Sequence, residues 1–213
     1  MNNRPELLLF FTGWGMDHRP TAHLTSGKYD VCTCFDYNLL DTEDVARWKQ
    51  YGSITVAAWS MGAWAAEQML TRVGLPVKHA VAINGTPKPV DDATGIPAEV
   101  ALATLDGLTP ESLKRFYRRM FGSASLLKQM EASGRMPEID FDARKEELRR
   151  IIAFRPYPET GFMWHKAVIG TDDAIFPPAH MRAAWKGKAK IVELDAPHYP
   201  FHLFNTWEEI IGE

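Results

Sequence analysis

The stretch AAWSMGAWAA, residues 57–66, continues the apolar run SITVAA (53–58) and passes into small and apolar residues that reach Gly74 with helical spacing. Ser60 therefore sits where a strand gives way to a helix. One reading makes it an N-cap, its hydroxyl accepting from a free amide of the helix that follows. The other makes it a nucleophile on a strained strand-to-helix elbow, where the residues two before and two after must be small because strand and helix pass close together. Ala58 and Gly62 meet that demand, with alanine standing where glycine is usual. These ten residues alone do not choose between the readings. A nucleophile needs a base, an orienting acid and oxyanion donors elsewhere in the chain.

Outward from the elbow, strand-length apolar runs recur at LLLFFT (7–12), YDVCTCF (29–35), KHAVAIN (78–84), HKAVIG (165–170) and AKIVEL (189–194). Between them lie helical patterns: DTEDVARWKQ with Asp41 as N-cap, MGAWAAEQMLTRVG stopping at Gly74, and PPAHMRAAWKG stopping at Gly187. This alternation predicts an α/β fold: a mostly parallel, doubly wound sheet of six strands in the order 2-1-3-4-5-6, with helices on both faces. It breaks once, after strand 4. Between about residues 87 and 160, LTPESLKRFYRRMFG and DFDARKEELRRIIAFR read as helices with no strand between them, starting near Thr109-Pro110-Glu111 and at Asp140. We read residues 1–213 as one domain and 87–160 as a helical lid inserted over the carboxyl ends of the strands, where ligands of such sheets bind. The plainer alternative is a helical pair that only completes the core.

In the order 2-1-3-4-5-6 the sheet reverses direction between strands 1 and 3, and the crevice there receives both FFTGWGMD and the Ser60 elbow. Oxyanion donors are expected from the amide after the serine, Met61, and from Trp14, whose flanking Gly13 and Gly15 free the backbone to turn inward. A glycine turn around a packed tryptophan is the alternative. The acid is expected after strand 5, where HKAVIG leads into TDDAIFPP; Asp173 is favoured, with Asp172 its rival and a helix cap the alternative role for either. The base is expected after the last strand. His198, bounded by Pro197 and Pro200, fits that place, whereas His202 reads as the start of the final helix. A metal site on the two histidines is disfavoured, because the prolines oppose a helix there and no third ligand stands nearby.

The composition narrows the classes of function. A net charge of -3 and a pI near 6.2 give no global basic field for nucleic acid or an anionic membrane. Cys32 and Cys34, the two cysteines, are badly placed to bond to each other, which suits a reduced, cytoplasmic protein. Arg4 precedes only LLLFF, too short for a signal segment, and no run is long enough to span a bilayer.

The chain order Ser, Asp, His is that of α/β-hydrolases. Taken together, LFFTGWGMD, VAAWSMGAWAA, AINGTPKPV, WHKAVIGTDDAIFPP and HYPFHLF, spread over residues 9–204, resemble the BioG family of pimeloyl-acyl-carrier-protein methyl ester esterases. The resemblance implies that Ser60 is the nucleophile, Asp173 the acid and His198 the base, with Trp14 and Met61 lending amides. It implies a serine carboxylesterase of biotin synthesis that cleaves the methyl ester of a pimeloyl chain on acyl carrier protein, with no metal or organic cofactor. The similar esterase BioH has histidine where this chain has Thr12 and glycine where it has Ala58. A generic short-chain esterase, an acyltransferase sharing the same acyl-enzyme, and a non-catalytic acyl or carrier-protein binding module are the alternatives.

The lid is compatible with such a partner. Residues 110–160 hold 11 Lys or Arg against 8 Asp or Glu, whereas the rest holds 13 against 19. Lys114, Arg115, Arg118 and Arg119 fall on neighbouring helix rows above Phe116, Met120, Phe121, Leu126 and Leu127. A basic face suits an acidic carrier and an apolar one an acyl chain; a merely solvated charged face is the alternative. A monomer is expected.

Overall fold

The structure, a computed structural model, describes residues 6–37 and 45–212; the helix start expected at Asp41 lies outside them. Six strands form one parallel sheet in the order β2-β1-β3-β4-β5-β6: β1 Glu6–Phe11, β2 Tyr29–Cys34, β3 Ile54–Trp59, β4 Val77–Ile83, β5 Lys166–Gly170 and β6 Lys190–Leu194. This is the expected α/β-hydrolase order. β1 and β3 read as continuous apolar runs because both of their faces are covered.

The period of two along each strand divides the core in two. Leu7, Leu9, Phe11, Val56, Ala58, Ala80, Ala82 and Ile169 face one cluster, which includes residues of α1 (Val45–Trp48), α2 (Gly62–Val73) and α7 (Pro178–Trp185). Leu8, Phe10, Ala57, Trp59, Val81, Ile83 and Val168 face the other, which includes residues of α8 (Trp207–Ile211). Cys32 and Cys34 pack against the first cluster and form no disulfide with each other.

Between β4 and β5 run four helices where the sequence pattern indicated two. The expected pair are α4 (Pro110–Phe121) and α6 (Phe141–Ala153); α3 (Ala98–Asp106) and α5 (Ala124–Ala132) are additional. Thr109 and Ser112 form a reciprocal capping box at the start of α4, and Asp140 accepts from Asp142 N and Ala143 N at the start of α6. Near the C-terminus one expectation is corrected. His202 lies in a 3-10 turn, Phe201–Leu203, and the final helix begins at Trp207 with Thr206 as its cap. The threonine side chain and Glu209 close a capping box there, which His202 cannot do. Among the described residues no helix is long and apolar enough to cross a membrane.

Candidate active site

β3 ends at Trp59, and the next residue, Ser60, takes φ 60° before α2 begins. A non-glycine residue in this left-handed region costs about 1–3 kcal/mol and persists only where its surroundings enforce it. Two glycines do so. A Cβ on Gly62 would lie 2.4 Å from the carbonyl oxygens of Phe11 and Thr12, and one on Gly85 would lie 2.0 Å from the Ser60 carbonyl oxygen. Gly62 thus lets α2 approach β1, and Gly85 lets the β4 loop close against the elbow. The Ser60 hydroxyl does not cap the helix: the cap position of α2 is Met61, with no side-chain cap bond. Instead Ser60 Oγ lies 2.9 Å from His198 Nε2.

His198 follows β6 and is 1% exposed; its Nδ1 lies 2.7 Å from Asp173 Oδ2. A carboxylate can only accept, so Nδ1 carries the proton and Nε2 is left to accept from Ser60. Asp173 follows β5, its second oxygen accepting from Ile175 N at 2.7 Å and Phe176 N at 2.9 Å. These bonds aim the carboxylate at the imidazole. Asp172, the rival acid, is exposed and lines a surface depression instead.

The loop carrying His198 is held by residues to which the sequence pattern assigns no role. Trp59 Nε1 donates to the His198 carbonyl at 2.8 Å, and its ring lies 5.5 Å from the imidazole. Asn84, in the left-handed region at φ 45°, donates through Nδ2 to the carbonyls of Pro197 and His198 and accepts from Gly170 N at 2.6 Å. One side chain therefore ties the ends of β4, β5 and the β6 loop together. The Asn-Gly pair at residues 84–85, directly after a strand, was the available signal. Phe176 stacks parallel to the His198 ring at 5.9 Å.

Trp14 and Met61 line a cavity of about 130 Å³ together with Ser60 and His198. Their backbone amides have no protein acceptor among the described residues. Apolar side chains from the segment between β4 and β5 line the cavity: Ile96, Val100, Phe116, Met120 and Leu148. Lys114, Arg115, Arg118 and Arg119 are all exposed on α4. Three of them, Arg115, Arg118 and Arg119, border the surface depression, and Arg119 and Ala174 line both it and the cavity. The basic face thus lies at the mouth of the apolar one. Among the described residues no cluster of His, Cys, Asp or Glu could hold a metal ion.

The loop after β1 is fastened from α6. Gly15 N donates to Glu147 Oε2 at 2.8 Å, Tyr37 N to Glu147 Oε1 at 2.9 Å, and Trp14 Nε1 to the Arg144 carbonyl at 2.7 Å. Glu147 is 3% exposed, and burial pushes its carboxyl up to about 7, with Asp36 adding to the rise while the two amides and Arg144 oppose it.

A parallel sheet in this order, with a serine on a left-handed strand-to-helix turn at its switch point, defines the α/β-hydrolase fold. The family of pimeloyl-ACP methyl esterase BioG matches residues 2–210, and the chain belongs to that family. The crystal structure of BioG from Haemophilus influenzae superposes with a TM-score of 0.89 at 31% identity, covering 99% of this chain and 96% of that one. A Bacteroides fragilis protein named malonyl-[acyl-carrier protein] O-methyltransferase is 42% identical over 92% of this chain, which spans only 40% of that relative's length. A Mycobacterium tuberculosis protein, described as a putative non-heme bromoperoxidase, shares the fold at a TM-score of 0.67 and 16% identity.

Proposed function

We propose that the chain is a cytoplasmic serine carboxylesterase that hydrolyses the methyl ester of pimeloyl-[acyl-carrier protein], with Ser60 as nucleophile, His198 as base and Asp173 as its orienting acid. The observation that carries this reading is the hydrogen-bonded series Ser60, His198, Asp173 opening on an apolar cavity with arginines at its mouth. His198 Nε2 takes the Ser60 proton as Oγ bonds to the ester carbonyl carbon. The charge that develops on the carbonyl oxygen is met by the amides of Trp14 and Met61. Collapse breaks the bond to the methoxy oxygen, which leaves as methanol with the proton from His198. Water then repeats the sequence on the acyl-enzyme and releases the free carboxylate and Ser60.

Two further features support this choice of substrate. The cavity wall supplied by Phe116, Met120 and Leu148 suits an acyl chain, and Arg115, Arg118 and Arg119 beside its mouth suit an acidic carrier protein. In this reading the helical insertion is a lid. The name of the Bacteroides relative fits the same chemistry. Forming a methyl ester on a carrier-bound acid and cleaving one are complementary reactions, and this chain spans only 40% of that relative's length. The first test is hydrolysis of a short-chain p-nitrophenyl ester, with fluorophosphonate labelling of the wild type and Ser60→Ala. Labelling and turnover confined to the wild type are expected; comparable turnover in both contradicts the mechanism.

A further inference from the structure

Every oxyanion donor needs a rigid support, and here the two donors are supported differently. The Met61 amide begins a buried helix whose approach to β1 is fixed by backbone contacts. Trp14 lies on a loop with Gly15 at φ 65°, and side chains and carbonyls from far along the chain hold it. Glu147 takes the Gly15 amide with one oxygen and the Tyr37 amide with the other, while the Tyr37 hydroxyl donates to the Thr12 carbonyl at 2.6 Å. The carboxylate thereby joins the loop after β1 to the end of β2 from within α6. Arg144, one turn earlier, accepts the Trp14 indole proton on its carbonyl. Its side chain fills the space over Gly15, where a Cβ would lie 2.6 Å from Nε. Just ahead of α6, Glu138 N donates to Asp17 Oδ2 at 3.0 Å.

We propose that Glu147 is a positioning residue of the hydrolytic site: it holds the Trp14–Gly15 turn so that the Trp14 amide faces the carbonyl attacked by Ser60. This rests on the esterase reading above. Its consequence is that the insertion does more than cover the substrate, because one of its helices sets half of the oxyanion site. The Glu147 side chain does not line the cavity, so its loss acts through the loop and not through substrate contact.

Glu147→Gln keeps the shape but sets an NH2 group against one of the two backbone amides, donor facing donor; Glu147→Met removes both acceptors. With a short-chain p-nitrophenyl ester, Glu147→Gln is expected to lower kcat about tenfold and Glu147→Met about a hundredfold, with KM nearly unchanged, since a lost oxyanion donor costs about 10²–10³ in kcat. The discriminating measurement pairs two inhibitors on each folded variant. An alkyl trifluoromethyl ketone, which forms an anionic hemiketal with Ser60, should lose affinity in step with kcat. The matching trifluoromethyl alkane, which has the same chain but no carbonyl oxygen, should bind as it does to the wild type. Wild-type kcat and ketone affinity in both variants overturn the proposal, as does an equal loss for ketone and alkane, which marks a merely structural role. A wild type no faster than Ser60→Ala overturns the esterase reading and the positioning role with it.

Discussion

The two walls of the site are made rigid by opposite means. The elbow is fixed by exclusion: Gly62 and Gly85 leave no room for a Cβ, and Ser60 is held in the left-handed region by backbone packed on either side. The loop bearing Trp14 is fixed by attraction, through a carboxylate and a carbonyl of α6 some 130 residues away in sequence. Sterics of this kind stiffen a wall without any ionisable group. Hydrogen bonds to a buried carboxylate stiffen it only while that carboxylate keeps its acceptors, which makes the second wall sensitive to pH and to the placement of α6.

That contrast can be broken first at the elbow. Gly85→Ala places a Cβ 2.0 Å from a backbone oxygen that cannot move aside. It should cost about 3 kcal/mol or more and abolish turnover, as urea denaturation and a p-nitrophenyl ester assay would show. An active, stable variant would mean the elbow has slack.

The second wall should respond to pH. In the folded chain Glu147 sits near 7, raised by burial from its ordinary 4.5; Asp36 adds to the rise and Arg144 opposes it, while the neighbouring Tyr37 is itself held neutral by burial. Between about pH 4.5 and 7 the native state therefore binds more protons at this site than the unfolded state, and stability falls as pH rises through that window. A shift of this size corresponds to about 3 kcal/mol, fully expressed above the folded value. Glu147→Gln should flatten that part of the calorimetric stability curve, even as it slows turnover. In the proposed role the destabilising carboxylate is retained because its ionised form holds the loop bearing Trp14. An unchanged curve would show that Glu147 does not titrate there.

The smallest effect is expected where the walls meet. Trp59→Phe keeps most of the packing but removes the 2.8 Å bond to the His198 carbonyl. It should cost about 1 kcal/mol and only a few-fold in kcat, because Asn84 still holds the same carbonyl. A loss as large as that of His198→Ala would place Trp59 in the chemistry itself.

The same contrast explains what could be read in advance. The elbow was legible because its demands are local: a strand, a serine, and small residues two places to either side. Strand order and the places of Asp173 and His198 followed from alternation and chain order. Glu147 and Arg144 were not legible, since RKEELRR reads as the solvated face of an amphipathic helix until tertiary packing buries Arg144 and Glu147. Trp59 finds its partner only where the β6 loop packs against it. α3 and α5 were not expected because AEVALATLD and ASLLKQMEA are only nine residues each, too short for a clear helical period.

The most direct test of the whole account is the mass of pimeloyl-[acyl-carrier protein] methyl ester after incubation with equal amounts of wild type and Ser60→Ala. The wild type should convert it to the free acid, with methanol released in equal amount, and Ser60→Ala should be slower by about 10⁴-fold or more. An intact ester with wild-type protein, or equal conversion by both, would contradict it.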